Sequence, residues 1–152
     1  MTTTTAYEPL GASGLKVSKL WLGTMMFGDQ TDEAEAASIV DATREAGVNA
    51  IDTANAYAGG ESERITGRLI KGDRERWVLA TKLANPMGSG PNDRGLSRRH
   101  IMAAFDASLV RLDTDWVDVL YLHREDPTTP LEETLTAVAQ LIERGKVHHF
   151  GL

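Results

Sequence analysis

Short apolar runs alternate along this chain with longer stretches of helical spacing. Val48-Asn49-Ala50-Ile51 ends at Asp52, Val78-Leu79-Ala80-Thr81 at Lys82, and Val117 to Leu122 at His123. Such runs predict strands, here over Val48 to Asp52, Trp77 to Lys82 and Trp116 to His123, with a first strand over Leu20 to Thr24 and a last from Lys146 to Leu152. Four helices are predicted between them. Thr31 caps one in which Ala36, Ile39, Val40 and Thr43 share a face before Gly47, with acidic residues suiting its N-terminal dipole. Glu61 to Lys71 turns Ile65 and Leu69 inward and stops at Gly72; Ser97 caps a helix carrying Ile101, Phe105, Leu109 and Leu112. Thr129-Pro130-Leu131-Glu132 reads as a capping box, opening a helix whose stripe is Leu131, Leu135, Val138 and Ile142 and which ends at Gly145.

A hairpin over Tyr7 to Ser18, turning at Gly11-Ala12-Ser13-Gly14, precedes this array. The count is four βα units and the beginning of a fifth, an α/β chain of parallel-barrel type in one domain over 1–152 with residues 1–6 frayed. Alternation along the strands places Ala50, Ala80, Val119 and Tyr121 on the same inner side as Asp52, Lys82 and His123. Ile51, Leu79, Leu120 and Leu122 face the helices, and Asp118 falls among them as a structural charge. Ala84 to Gly95, rich in glycine and proline, reads as a mobile loop over the site.

Composition narrows the functions. A net charge of −6 and pI near 5.2, without basic runs, argue against nucleic-acid or anionic-membrane partners. With no cysteine, disulfides and thiolate metal sites are excluded. The start, Met1 followed by Thr2 to Thr5, has neither a charged nor an apolar targeting segment, so a cytoplasmic protein is expected.

The strand ends carry the chemistry. Asp52, Lys82 and His123 close successive strands, Tyr57 lies just past Asp52, and parallel barrels gather their sites at this end. Singly, each has an ordinary structural explanation; together they are harder to explain that way. A tyrosine of ordinary pKa about 10 is a poor acid near neutrality, and a neighbouring ammonium favours its ionisation. Lys82 is that neighbour, Asp52 its counter-charge, and His123 can donate to a substrate carbonyl or share the proton. His100 and the His148-His149 pair lack a second ligand at metal spacing, so no metal site is expected. A metal-dependent barrel hydrolase would want a His-x-His pair where Gly23-Thr24-Met25 stands.

Tyr7-Glu8-Pro9-Leu10-Gly11, Gly14-Leu15-Lys16-Val17-Ser18, Leu22-Gly23-Thr24-Met25, Ile51-Asp52-Thr53-Ala54 with Tyr57, Ala80-Thr81-Lys82, Ser97-Arg98 and Leu120-Tyr121-Leu122-His123 together resemble the aldo-keto reductases. The resemblance implies a (β/α)8 TIM-type barrel behind an N-terminal hairpin and NADPH-dependent reduction of an aldehyde or ketone, with NADH not excluded. It also implies Tyr57 as general acid, Lys82 and Asp52 as its tuning pair, and His123 in the substrate pocket. Gly23, Thr24, Met25 and Asp52 are implied beside the nicotinamide. A full barrel takes ~250 residues, and this sequence stops at Phe150-Gly151-Leu152, inside the fifth strand. The expectation is therefore half of a catalytic barrel, inactive alone, whose open edges invite self-association or completion by further residues. The competing expectation is a truncated interaction or regulatory module.

Overall fold

The computed structural model describes residues 5–152. It begins with an antiparallel hairpin, β1 (Tyr7–Pro9) and β2 (Lys16–Ser18). Then β3 (Leu22–Gly23), β4 (Ala50–Asp52), β5 (Val78–Leu83), β6 (Val117–Leu122) and β7 (Val147–Gly151) form one parallel sheet in chain order. The connections are α1 (Glu33–Glu45), α2 (Glu61–Ile70), α3 (Arg98–Leu112) and α4 (Leu131–Glu143). The chain thus has the expected four βα units and a fifth strand, an open section of a barrel. Residues 1–4 of the segment expected to fray lie outside the described residues. At residues 5 and 6 the Thr5 hydroxyl donates to the Ala46 carbonyl, and the Ala6 carbonyl accepts from Lys19 N.

Alternating strand positions feed two apolar layers. Ala50, Val78, Ala80 and Val119 pack on the inner side with Val17, closed by Leu10, Leu15, Trp21 and Tyr121. Ile51, Leu79, Leu83, Leu120 and Leu122 join Val40, Ile65, Phe105 and Val138 on the helix side. The hairpin seals the end of the sheet where strands begin, since Asn49 Oδ1 accepts from Ser18 N at 2.8 Å and Asn49 Nδ2 donates to Lys16 O at 3.0 Å. Asp118, expected as a structural charge, accepts from Leu79 N at 2.8 Å and from Arg74 Nη2 at 3.2 Å.

Several boundaries differ from expectation for local reasons. β3 is two residues long because the Leu20 carbonyl turns back to accept from Ser18 Oγ at 2.6 Å. Thr31 is held in the preceding turn, donating its N–H to Met26 O at 3.0 Å, so Asp32 caps α1 by accepting from Glu35 N at 2.9 Å. Gly72 is not a stop: Lys71–Arg76 continues from α2 as a 3-10 helix. Thr129 turns its hydroxyl back to Asp126 Oδ2 at 2.7 Å, so no capping box forms and Pro130 is the N-cap of α4. That helix is also rotated from the expected face. Thr134, Ala137, Val138 and Leu141 are buried, while Leu131, Leu135 and Ile142 are 62%, 43% and 40% exposed.

Helices α2 and α3 touch where a side chain is missing. A Cβ built on Gly67 would lie 2.3 Å from the Leu112 carbonyl oxygen, and backbone cannot swing aside as a side chain can. Gly67→Ala should therefore destabilise the fold by about 1–3 kcal/mol, despite alanine's better helix propensity. Urea denaturation measures it; an unchanged midpoint would mean the two helices separate freely.

Candidate active site

Asp52 ends β4 level with Gly23 on β3 and Ala80 on β5, while Lys82 on β5 is level with Tyr121 on β6. Beyond Asp52 the chain crosses the end of β5, with Thr53 N donating to Ala80 O and Asn55 N to Lys82 O, each at 3.0 Å. A 3-10 turn over Tyr57–Gly60, unforeseen from the sequence, then brings the phenol back beneath the Lys82 ammonium. Ala58, Gly59 and Gly60 all have positive φ, which reverses the chain into α2. At Gly60, φ is +95° and an added Cβ would meet Arg111 Cδ at 2.7 Å, so glycine is required there.

The first turn of α2 is locked beneath this turn. Ser62 Oγ donates to the Thr24 carbonyl at 2.7 Å and lies 2.9 Å and 3.0 Å from the hydroxyls of Thr24 and Thr53, all of them buried. Thr24 is thereby turned away from the barrel mouth. Of the three residues expected beside a nicotinamide after the first strand, Gly23 and Met25 present exposed surface and Thr24 does not.

The four expected residues do converge. Lys82 Nζ donates to Asp52 Oδ2 at 2.6 Å, to the Thr53 carbonyl at 2.8 Å and to Tyr57 Oη at 3.2 Å. Those three acceptors match the three N–H groups of an ammonium, the condition for holding such a charge in a partly buried mouth. The Tyr57 ring meets the His123 ring edge to face, with centroids 5.8 Å apart at 85°. Burial pushes the His123 pKa down, the Lys82 and Arg124 charges add to this, and Asp52 opposes it. The imidazole is consequently neutral at physiological pH. Burial, with Asp52 second, pushes the Tyr121 pKa up, so that hydroxyl stays protonated beside the site.

Two participants were not foreseen. Asn85 Nδ2 lies 3.1 Å from His123 Nδ1. Trp21 joins Asp52, Lys82, Tyr121, Leu122 and His123 around a mouth cavity of about 450 Å³. Trp21 had a signal in the sequence, since it lies two residues before Gly23 within the predicted Leu20 to Thr24 run, although the strand itself is only Leu22–Gly23. Asn85 sits in an irregular loop, where spacing carries no such information. The loop itself, expected as mobile, is tied at its neck by Gly95 N donating to Ala84 O at 2.8 Å. Among the described residues no three His, Asp or Glu side chains converge as a metal cluster would require, and no helix is long and apolar enough to cross a membrane.

A family model described as the aldo/keto reductase family matches residues 19–152. A probable voltage-gated potassium channel subunit beta from Arabidopsis thaliana is 48% identical over 149 residues, covering 95% of this chain and 45% of that protein. A protein of the same description from Oryza sativa subsp. japonica is 46% identical with the same coverage. Among solved structures, the holo form of the aldo-keto reductase AKR11C1 from Bacillus halodurans superposes with a TM-score of 0.88 at 36% identity, covering 97% of this chain and 49% of that one. The chain spans about half the length of the relatives it matches. With five parallel strands and their helices superposing on a reductase barrel, and a family match over most of its length, this chain belongs to the aldo/keto reductase family.

Proposed function

We propose that residues 1–152 form one barrel-type domain that serves the reduction of aldehydes or ketones to alcohols with NADPH, NADH being a second candidate. One observation carries the reading: a single ammonium, Lys82, joins the Asp52 carboxylate and the Tyr57 hydroxyl at the ends of adjacent strands, with the His123 ring edge-on to Tyr57. When bound, the nicotinamide supplies hydride. The surface expected to receive it fits a flat apolar ring, because Gly23 offers open space with no atom near an added Cβ and Met25 is 53% exposed.

The chain's own part is the proton. Tyr57 gives its hydroxyl proton to the carbonyl oxygen as negative charge develops there, and Lys82 stabilises the phenolate left behind. Asp52 holds Lys82 in place against its desolvation. His123 binds the carbonyl oxygen and orients it. NADPH oxidation by 4-nitrobenzaldehyde, followed by absorbance in a preparation whose barrel is completed, tests the reading; a completed barrel that binds NADPH but lets neither aldehydes nor ketones oxidise it would defeat it. Trp21 reports binding independently, because it lines the mouth, whereas Trp77 is 1% exposed in the core.

Lys82 and Asp52 are expected to act as a unit. Lys82→Met strands a carboxylate and Asp52→Asn strands an ammonium, so each loses carbonyl reduction, and the double variant should lose far less than the sum of the two. Additive losses in such a cycle would show independent roles.

A second reading, a protein-binding subunit, is favoured by the two plant relatives named as channel beta subunits. NADPH quenching of Trp21 without turnover of any carbonyl compound would move the balance toward it.

A further inference from the structure

We propose that Asn85 is a positioning residue whose side-chain amide, donating to His123 Nδ1 at 3.1 Å, holds the neutral imidazole as its Nε2–H tautomer. The inference rests on the reading of His123 as a carbonyl-orienting donor.

A neutral imidazole has one N–H and one lone pair, and which nitrogen carries the proton is set by the partner of the other. An amide N–H directed at Nδ1 demands a lone pair there. The proton is then on Nε2, the ring nitrogen left to serve the mouth cavity that His123 lines. A ring in the opposite tautomer would present a lone pair to the carbonyl oxygen, where it repels rather than binds.

The backbone is built to deliver that amide. His123 N donates to Leu83 O at 2.8 Å, which fixes the end of β6 against the end of β5. The next residue, Ala84, is 2% exposed and has φ of +129°, a conformation that L residues other than glycine rarely adopt. Strain of this kind persists where neighbouring contacts enforce it, and the Ala84 carbonyl is held by Gly95 N at 2.8 Å. That turn takes the chain out of the strand and across to His123. Pro86 follows at once and restricts Asn85 to extended backbone. The T-shaped contact with Tyr57 adds a further restraint, so the imidazole is held at its backbone, at Nδ1 and against the Tyr57 ring. A loop asparagine with no role in the site would need none of these constraints.

The test is nitrogen-15 NMR of the four histidines in the whole chain, at a pH above their titration, with His123→Gln identifying the His123 signals. Wild type should show Nε2 protonated and Nδ1 bare. Asn85→Asp puts an acceptor where a donor stood, so the pattern should reverse to Nδ1–H; Asn85→Ala removes the bias and should give exchange-averaged shifts. A wild-type ring protonated on Nδ1, or an Asn85→Ala variant whose tautomer does not change, overturns the proposal. In a preparation that reduces 4-nitrobenzaldehyde, Asn85→Asp should lower kcat by roughly 10²-fold, the lower range for a displaced proton-donating group, with NADPH quenching of Trp21 preserved. Should the tautomer reverse while kcat holds, Asn85 sets the ring as proposed and it is the role of His123 in carbonyl reduction that fails.

Discussion

Tyr57→Phe should lower carbonyl reduction by roughly 10²-fold or more, the usual contribution of a positioned general acid, and leave NADPH affinity nearly unchanged. The substitution removes one oxygen and little else. The phenyl ring keeps its edge contact with His123, 5.8 Å between centroids, and stays under the Lys82 ammonium, 4.9 Å from the ring centre. Lys82 retains Asp52 and the Thr53 carbonyl as partners, so the ammonium is not released. What disappears is the O–H 3.2 Å from Lys82 Nζ, the group placed to meet charge developing on a carbonyl oxygen. A hundredfold loss corresponds to about 2.7 kcal/mol of transition-state stabilisation and should appear in kcat rather than in KM, because the interaction exists only as the proton moves. The comparison is made in a preparation that turns over, with Trp21 quenching as the binding control. Near-normal kcat in the variant would remove Tyr57 from the mechanism.

The strand-end residues were legible in the sequence because a parallel barrel makes position along the chain into position in space. Asp52, Lys82 and His123 each close an apolar run, and the sheet order brings those ends side by side. The separation of Ile51, Leu79 and Leu120 from Ala50, Ala80 and Val119 was equally readable, since strand alternation has only two outcomes. Helix α4 offered more than one. Leu131, Leu135 and Ile142 fit helical spacing as well as Thr134, Ala137 and Leu141, and hydrophobicity alone favours the first set. The buried set is decided by contacts distant in sequence, among them the Thr134 hydroxyl donating to the Leu96 carbonyl at 3.0 Å. Asn85 was hidden for a related reason: its reach to His123 depends on the positive φ of Ala84, which an alanine does not announce. The orientation of Thr24 depended on Ser62, 38 positions along the chain.

Glu63 sets the largest expected stability effect outside the mouth. It is 0% exposed on α2, where its carboxylate accepts from the Thr81 hydroxyl at 2.6 Å and from Arg111 Nε at 2.6 Å. The guanidinium side chain is itself only 13% exposed, so both charges have left water. Such a pair gains little net stability over an apolar replacement, because its attraction is offset by two desolvation penalties, but removing one partner leaves the other penalty uncompensated. Glu63→Gln keeps the size and can still accept from Thr81, yet it strands Arg111 beside α2. The expected cost is about 3–5 kcal/mol, a large part of the 5–15 kcal/mol that typically holds a domain together. Glu63→Leu combined with Arg111→Met should recover most of that loss, less the orphaned Thr81 hydroxyl, since no charge then remains buried. Thermal and urea unfolding of the two proteins provide the comparison. If the double variant were as unstable as Glu63→Gln, the cost would lie in lost packing between α2, α3 and β5 and not in a stranded charge.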